Sequence, residues 1–359
     1  MIHNGLDREH KAGIKADEKI KEYAHRLMTI AMEKGCDGAE VCVNESDEFS
    51  VGVLEDEVDD YTVSSSFGLG IRVQKDGRNG YAYTEAMDDP EGFVEEAIDN
   101  AETVKSEDIH PMAEPAEYPE IQKKTDALKD MDESEKIELC KALERETKRC
   151  DGRVKRVACC KVVTAGGRFC IYNTLGLRAE RSDRVSCCYV EPVLEDEGQM
   201  RDGFAFRADG EALDIAGCGR EAVDEAIAAM DPAPVAPGRY DIILRNDAMA
   251  SILGAFAGMF SADAAQKGLS PLAGREGEDM AAECVTLMDD PLYPINPSPF
   301  DDEGTPSVAK AVIKDGKLET LLHNLKTAKK AGVKSTSNGG RSSAGSPVGV
   351  RITNFYIAP

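Results

Sequence analysis

The sequence predicts an α+β protein of two domains, the first with two helix-plus-antiparallel-meander units and the second mainly β with a central helix. Three observations carry this prediction. Short apolar runs, many alternating with polar residues and separated by turn residues, indicate antiparallel strands. Apolar residues at helical spacing precede and follow each group of strands. The proline-rich stretch 231–237 is typical of a stiff connector, so we expect domains at residues 1–236 and 237–359.

The first unit is predicted to begin with an amphipathic helix over residues 16–34. The strands that follow it are predicted at residues 40–43, 50–54, 61–63, 70–73 and 80–84. Asp89 is a candidate N-cap for a second helix, with Pro90 in its first turn. Residues 109–123 contain three prolines and little periodicity, which predicts a crossing loop.

The second unit shows the same order of elements without visible sequence repetition. It is predicted as a helix, three strands and a closing helix, over residues 132–150, 154–163, 168–172, 185–190 and 214–230. This order hints at a structural duplication.

The charge of the chain is strongly acidic and unevenly placed. The formal net charge is −24, yet residues 238–359 carry 13 Lys and Arg against 14 Asp and Glu, so nearly all of it lies earlier. Nucleic-acid affinity depends on Lys and Arg that neutralise phosphates, so we expect no nucleic-acid partner. Solubility is the simpler explanation of the charge.

The cysteines and the apolar runs indicate a cytoplasmic protein without a membrane partner. Eleven scattered cysteines show no zinc-ligand spacing, and reduced thiols explain them most simply. On a strand, each of the neighbouring pairs 159–160 and 187–188 would place one thiol inward and one outward. No apolar run approaches the roughly 20 residues that cross a bilayer, and residues 1–16 do not resemble a signal peptide.

The second domain is predicted to open with a buried strand at residues 240–244. Met249, Ile252, Leu253, Phe256 and Phe260 then recur at helical spacing and predict an amphipathic helix. Because mid-helix glycines destabilise a helix, Gly254 and Gly258 suggest that something approaches its backbone closely. A hairpin at Asp315-Gly316, a short basic helix at 326–332 and a Gly/Ser-rich loop at 335–345 follow.

In this order the elements resemble the TldD/PmbA family, which is linked to a cytosolic metallopeptidase. The resemblance also rests on three N-terminal runs, at residues 67–73, 80–84 and 173–176. The catalytic branch of that family carries HExxxH on the central helix, with two histidine metal ligands and a glutamate. The matching run here is 253–258, and Leu253, Gly254 and Gly258 occupy the three functional positions.

This departure is typical of the PmbA (TldE) branch and predicts no metal, no cofactor and no catalytic residue at the helix. The degenerate motif around Leu253 is instead a candidate cleft, although an ordinary core helix packed on its glycine side is the simpler interpretation. The resemblance also implies further β segments after residue 359, so we expect the C-terminal domain to be incomplete at its end.

Two other groups of residues are candidate sites. Asp301, Asp302 and Glu303 could hold a hard cation or supply a general base, although Asp and Gly in this context are also ordinary turn residues. Asn338 and Arg341, in the Gly/Ser-rich loop beside the basic helix, could bind an anion such as a peptide carboxylate. A flexible surface loop is the alternative for these last two.

The resemblance implies a non-catalytic subunit of a peptidase assembly that acts in proteolysis or peptide maturation, including that of a ribosomally made peptide antibiotic. Its expected partners are an HExxxH-bearing TldD-like subunit, or a second copy of itself, and peptide substrates held on strand edges. Two alternatives stay open: an autonomous peptidase with a non-standard metal or acidic site, and a non-hydrolytic regulatory protein acting on a toxin–antitoxin or gyrase-related system.

Overall fold

The computed structural model describes residues 3–104, 110–122, 126, 128–208 and 213–359, with side chains from Asp17 onward. It confirms the α+β class. The first part of the chain forms α1 (His3–Glu33), β1 (Gly38–Leu54), β2 (Glu57–Lys75), β3 (Arg78–Thr84), α2 (Pro90–Thr103), α3 (Glu133–Cys150), β4 (Val154–Asn173), β5 (Arg178–Asp196), β6 (Gln199–Asp202), β7 (Ala205–Ala208) and α4 (Ile215–Ala228).

The strands of both predicted units belong to one antiparallel sheet. Its order is β3-β2-β1-β4-β5-β6, with β7 also paired to β5, and the β1–β4 pair joins the two units. The separate short strands predicted at 40–43 and 50–54 are therefore wrong, because β1 runs unbroken through the polar residues between them. The same holds for β2 and β4. Tight turns with positive φ, such as Glu55-Asp56 and Asp76-Gly77, connect the long strands.

One face of the sheet carries the helices. Along β1, Ala39, Val41 and Val43 pack in a cluster with α1 and α2, whereas Phe49, Val51 and Val53 pack in a second cluster with α3 and α4. All six positions have the same parity and so point to the same face. The middle of β1 lies between the two helix pairs and is more exposed, which explains why the sequence pattern looked broken there.

Local sequence signals place the helix ends well. The side chain of Asp89 accepts from Gly92 N at the start of α2, and Asp132 forms a capping box with Glu135 at the start of α3. The start of α1 is an exception, because this helix begins at His3 rather than near Ala16.

The prediction that each neighbouring cysteine pair places one thiol inward and one outward is confirmed. Cys160 and Cys188 are buried, whereas Cys159 and Cys187 are partly exposed.

The opposite face of the sheet packs against the C-terminal region. Cys42, Phe169 and Ile171 form a cluster there with Phe300 and Ala344. The approach is close, since a Cβ on Gly70 of β2 would stand 2.0 Å from the carbonyl oxygen of Ala344. A glycine is therefore required at this position.

The C-terminal region has short elements around its own apolar cluster, which includes Phe260, Val312 and Leu322. Its elements are α5 (Asn246–Phe256), a 3₁₀ turn (Ala257–Phe260), α6 (Ala262–Gln266), β8 (Leu287–Asp289), β9 (Lys310–Lys314), β10 (Lys317–Leu318), α7 (Leu325–Ala331), β11 (Gly339–Gly340), β12 (Gly349–Val350) and β13 (Phe355–Ile357). The hairpin at Asp315-Gly316 is confirmed. The crossing loop is also confirmed over residues 110–122, whereas residues 109 and 123 lie outside the described part.

Candidate functional site

A cluster of ionisable side chains lies between the sheet and the C-terminal region. We call it the buried charge junction, and its members are Glu40, Arg72, His110, Arg181, Asp301, Asp302, Glu303 and Arg341. Most of these side chains are almost fully removed from solvent.

Glu40 lies at the centre of the junction and is held by two arginines. Arg72 Nη2 donates to Glu40 Oε2 at 2.9 Å, and Arg341 Nη2 donates to the other carboxylate oxygen. Arg72 also donates to the carbonyl oxygen of His110 at 3.0 Å. Two guanidinium groups compensate the cost of burying one carboxylate, and they connect two strands, the crossing loop and the C-terminal region.

The predicted acidic cluster supplies the other half of the junction. Asp301 accepts from the backbone N–H of Gly339 at 2.8 Å, and Asp302 accepts from that of Arg341 at 2.8 Å and pairs with Arg181. Glu303 accepts from Leu325 N at 2.8 Å, while its second carboxyl oxygen is hydrogen-bonded to His110 Nε2. These oxygens are thus occupied by groups of the protein itself.

Burial shifts the titration of this cluster strongly. It raises the pKa of Glu303 to about 8, and burial together with the charge of Glu303 raises the pKa of Asp301 to about 8. Burial, with the charge of Arg72 adding to it, lowers the pKa of His110 to about 3. At neutral pH the His110–Glu303 contact is therefore a hydrogen bond between a neutral acid and a neutral imidazole.

Asp302 behaves differently from its neighbours. Burial alone would raise its pKa, but the positive charges of Arg181 and Arg351 outweigh burial and hold the pKa below its ordinary value. The junction thus contains one firmly ionised aspartate beside two carboxyls that are mainly protonated at neutral pH. All three are buried and bonded within the chain, so the arrangement fastens the two regions together.

Asn338 and Arg341, the predicted anion-binding residues, are also engaged inside the protein. Asn338 Nδ2 donates to Asp289 Oδ2 and to the carbonyl oxygen of Arg351, both at 2.8 Å. Arg341 contacts Glu40, as above, and donates to the carbonyl oxygens of Asp302 and Ser346 at 3.1 Å. The alternative prediction of a flexible surface loop is therefore wrong at these two positions, because both side chains are buried. Their role in binding an anion stays a prediction.

The helix of the degenerate motif, α5, has no buried residue. Leu253 is partly buried against the C-terminal apolar cluster, but nothing lies within 4 Å of where a Cβ on Gly254 or Gly258 would stand. The prediction that something approaches the helix backbone closely is therefore wrong for the described residues. The alternative, an ordinary core helix packed on its glycine side, is also wrong, because α5 has no buried residue. The helix is amphipathic, but most of its apolar face is open.

The segment before α5 is exposed as well. The predicted buried strand at 240–244 is wrong, because these residues form no strand and Ile243 is 97% exposed. Tyr240, Ile242 and Leu244 are also exposed, as are Ile252 and Phe256 on the helix. We call residues 240–256 the apolar surface. The pattern correctly marked apolar residues, but no described element of this chain covers them.

The donor chemistry of α5 does not fit a metal ion. Where the resemblance implies two histidines and a glutamate, Leu253, Gly254 and Gly258 offer no nitrogen or oxygen side-chain ligand. Within the described residues, no three His, Cys, Asp or Glu side chains are grouped so that they could hold a metal. Across the same residues, no helix has both the length and the apolar character needed to span a membrane.

Two large pockets are lined by residues that belong neither to the junction nor to α5. One of 610 Å³ lies between α1 and the β4–β5 pair, lined by residues such as His25, Met28 and Tyr172. The other, of 1110 Å³, lies at the middle of the sheet and includes Ser65, Ser66 and Gly167.

Sequence reasoning missed Glu40, Arg72, His110 and Arg181 as members of one site. Arg72 lies inside a run that carried the resemblance, yet nothing local distinguishes it from any strand arginine. Glu40 and Arg341 are 301 positions apart, so their contact leaves no local pattern.

Comparison with known proteins gives consistent matches along most of the chain. Residues 39–101 match the model described as PmbA/TldA metallopeptidase domain 1, residues 126–230 match the central domain, and residues 237–359 match the C-terminal domain.

Individual relatives agree with these matches. A metalloprotease of Archaeoglobus fulgidus is 30% identical over 311 residues, which covers 82% of this chain and 68% of the relative. An uncharacterized protein of Methanocaldococcus jannaschii is 27% identical over 345 residues, covering 92% of this chain and 77% of the relative.

Solved structures are similar over nearly the whole chain. A protein of Thermotoga maritima, described as a proposed modulator of a DNA gyrase, has a TM-score of 0.86 at 31% identity, covering 95% of this chain and 78% of that one. TldE from Thermococcus kodakarensis has a TM-score of 0.81 at 25% identity, covering 94% of this chain and 77% of that one.

Proposed function

The chain belongs to the PmbA/TldD metallopeptidase family, and within it we propose that this protein is a PmbA-type subunit that assists peptide cleavage by a catalytic relative without cleaving peptides itself. One observation carries the proposal. The helix that would hold the metal presents Leu253, Gly254 and Gly258, which cannot bind or activate anything through their side chains.

The apolar surface supports an assembly rather than an isolated protein. Ile243, Ile252 and Phe256 lie on one continuous stretch of chain and face solvent, whereas contiguous exposed apolar patches usually mark interaction sites. Because this stretch includes the motif helix, a covering partner would lie directly against that helix. We propose an HExxxH-bearing relative as this partner.

The buried charge junction cannot take over catalysis in this account. Asp301 and Glu303 are buried and accept hydrogen bonds from backbone N–H groups, so neither can reach a peptide bond. This geometry argues against the acidic cluster as an independent hydrolytic site. The junction instead holds the C-terminal region on the sheet.

The names of two relatives support a substrate class. Relatives from Archaeoglobus fulgidus and Escherichia coli are named metalloproteases, which supports peptides as substrates. We extend the proposal to a cytoplasmic dimeric assembly, formed with the relative or with a second copy. In it, short or unfolded peptides, including the precursor of a ribosomally made antibiotic, are cleaved.

Mixing experiments test the proposal. The chain is co-expressed with an HExxxH-bearing family member, and complex formation is measured by size-exclusion chromatography with light scattering. We expect a stable complex that the double change Ile243→Ser and Phe256→Ser weakens. Leu175→Ser, which alters an exposed apolar residue in a turn of the sheet, is the matched control. Absence of a complex, or equal loss with the control, would contradict the proposal.

A further inference from the structure

The strand β2 has an open edge. On one side it pairs with β1 from Glu57 to Gln74, but on the other side β3 pairs only with Leu69–Lys75. Among the described residues, no other strand pairs with the stretch from Glu57 to Gly68. In an antiparallel strand, alternate residues of such an edge present unpaired N–H and C=O groups, which are a template for another strand.

The open edge carries an apolar stripe on the helix-bearing face of the sheet. Val58, Tyr61 and Val63 stand directly opposite Val53, Val51 and Phe49 of β1, which belong to the core under α3 and α4. Directly opposed residues share a face, so the stripe extends this core outward to the edge. Val63 is nevertheless 60% exposed. A strand added here would cover the stripe with its own side chains.

A second open edge on the same sheet is built differently. The stretch 178–186 of β5 lies beyond the residues that pair with β6 and β7. It carries five charged residues: Arg178, Glu180, Arg181, Asp183 and Arg184. Charged side chains protect edges from pairing. The β2 stretch has no lysine, arginine or proline between residues 57 and 68.

The surroundings of the β2 edge favour a basic occupant. Glu57, Asp59 and Asp60 lie at its start. Its far end, at Ser65–Phe67, forms part of the 1110 Å³ pocket at the middle of the sheet. The pocket lining includes the carboxylates of Glu45, Asp47, Asp126 and Asp183 against the guanidinium groups of Arg168 and Arg184. Both arginines already pair with carboxylates of this lining, and the carboxylates outnumber the guanidinium groups, so the electrostatic potential in the pocket is negative.

We propose that the open edge of β2, residues 57–67, binds an extended peptide segment of alternating apolar and basic residues by strand addition. The apolar side chains cover Val58, Tyr61 and Val63, while the basic ones lie on the other face, beside Asp60, whose carboxylate also pairs with Lys161. Backbone hydrogen bonds supply affinity, and the stripe and the acidic residues supply selectivity. The inference rests on the proposed function only in taking this peptide to be a substrate.

Fluorescence anisotropy with a labelled hexapeptide of alternating valine and lysine tests the site on the isolated chain. We expect saturable binding that Val63→Arg weakens at least about tenfold, because a cation on the stripe repels the peptide and removes an apolar cross-strand partner. Asp59→Asn should weaken it less, and more at low salt than at high salt. The matched control is Val333→Arg, the same change at an exposed valine that lies neither on β2 nor in the lining of the pocket, which should leave binding unchanged.

Peptide variants separate strand addition from simple charge attraction. A peptide with methyl groups on alternate backbone nitrogens keeps its lysines but cannot complete the ladder, so it should bind at least about tenfold more weakly. Replacing lysine by glutamate should also abolish binding. Equal binding of the methylated peptide, or equal loss in Val63→Arg and Val333→Arg, would overturn the proposal.

Analytical ultracentrifugation of the same variants tests whether a second copy of this chain, rather than a peptide, occupies the edge. A dimer that Val63→Arg dissociates, with no peptide binding in the parent chain, would assign the edge to a second copy and reject the peptide site. Because these measurements need no catalytic relative, failure here leaves the mixing experiments unaffected. If the peptide binds to the β2 edge but no complex forms with the HExxxH-bearing relative, only the assisting-subunit proposal is rejected.

Discussion

The buried charge junction and the apolar surface invert the usual distribution of residues. At the junction, eight ionisable side chains are enclosed between the sheet and the C-terminal region, whereas residues 240–256 leave isoleucine, leucine and phenylalanine in water. The first arrangement is complete, because each charge has a partner within the chain. The second is incomplete, since its apolar groups have none among the described residues. The contrast shows that the junction is held by contacts within the chain, whereas the apolar surface supports our proposal of a partner only by being exposed.

The largest expected effect comes from opening the junction. Arg72→Met leaves Glu40 with Arg341 alone and removes a donor from the carbonyl oxygen of His110. We expect a loss of about 3–5 kcal/mol in the free energy of unfolding, measured with urea, because the buried Glu40 carboxylate loses one of its two guanidinium partners.

The control for this prediction is Arg145→Met. Arg145 pairs with Asp56 at 2.7 Å on the surface, so its loss should cost at most about 1 kcal/mol. Similar costs for both substitutions would show that the junction contributes no more than a surface ion pair.

The pH dependence of stability comes next in size. Asp301 and Glu303 have folded pKa values raised to about 8, so they keep protons that the unfolded chain releases near pH 4. The free energy of unfolding should therefore fall as pH rises from about 4 to 8, by up to about 1.4 kcal/mol per pH unit for each carboxyl, and flatten above.

His110 makes this fall less steep in the lower part of the range. Its folded pKa of about 3 lies below the ordinary value of 6.5, so below pH 6.5 its contribution to stability rises with pH and offsets one of the two carboxyls. The full slope is expected between pH 6.5 and 8. Asp301→Asn should reduce the slope between pH 6.5 and 8. An unchanged slope in this variant would mean that Asp301 is ionised in the folded protein.

The smallest expected effect belongs to the apolar surface. Phe256 and Phe260 are four residues apart, yet 58% and 6% exposed, respectively. Phe256→Ala should change the free energy of unfolding of the isolated chain by less than about 0.5 kcal/mol. Phe260→Ala, which removes a core side chain, should cost about 3–5 kcal/mol. A large cost at Phe256 would show that this surface is already covered.

The sequence predicts elements better than it predicts what each element touches. The N-cap Asp89, the helix start at Asp132 and the turn at Asp315-Gly316 are local signals, and all three predictions are confirmed. The run 240–244 has the composition of a buried strand, but burial depends on a covering surface that composition does not encode. The sequence pattern predicts two strands where the structure has the single strand β1. The middle of β1 lies between the helix pairs and therefore carries no apolar pattern.

The candidate sites show the same limit. Asp301, Asp302 and Glu303 stood out as a run of carboxylates, but their partners Arg181 and His110 are more than 100 residues away in sequence. Only folding brings Arg72, Arg341 and Glu40 together. The absence of ligands at Leu253, Gly254 and Gly258 was readable directly, because it depends on side-chain identity alone.

The central claim is that this chain needs a catalytic relative. The most direct test measures metal content and peptide hydrolysis on the purified chain, before and after an HExxxH-bearing family member is added. We predict no stoichiometric transition metal and no hydrolysis by the chain alone, with greater cleavage by the mixture than by the relative alone. One zinc ion per chain, or chelator-sensitive hydrolysis by the chain alone, would contradict the account.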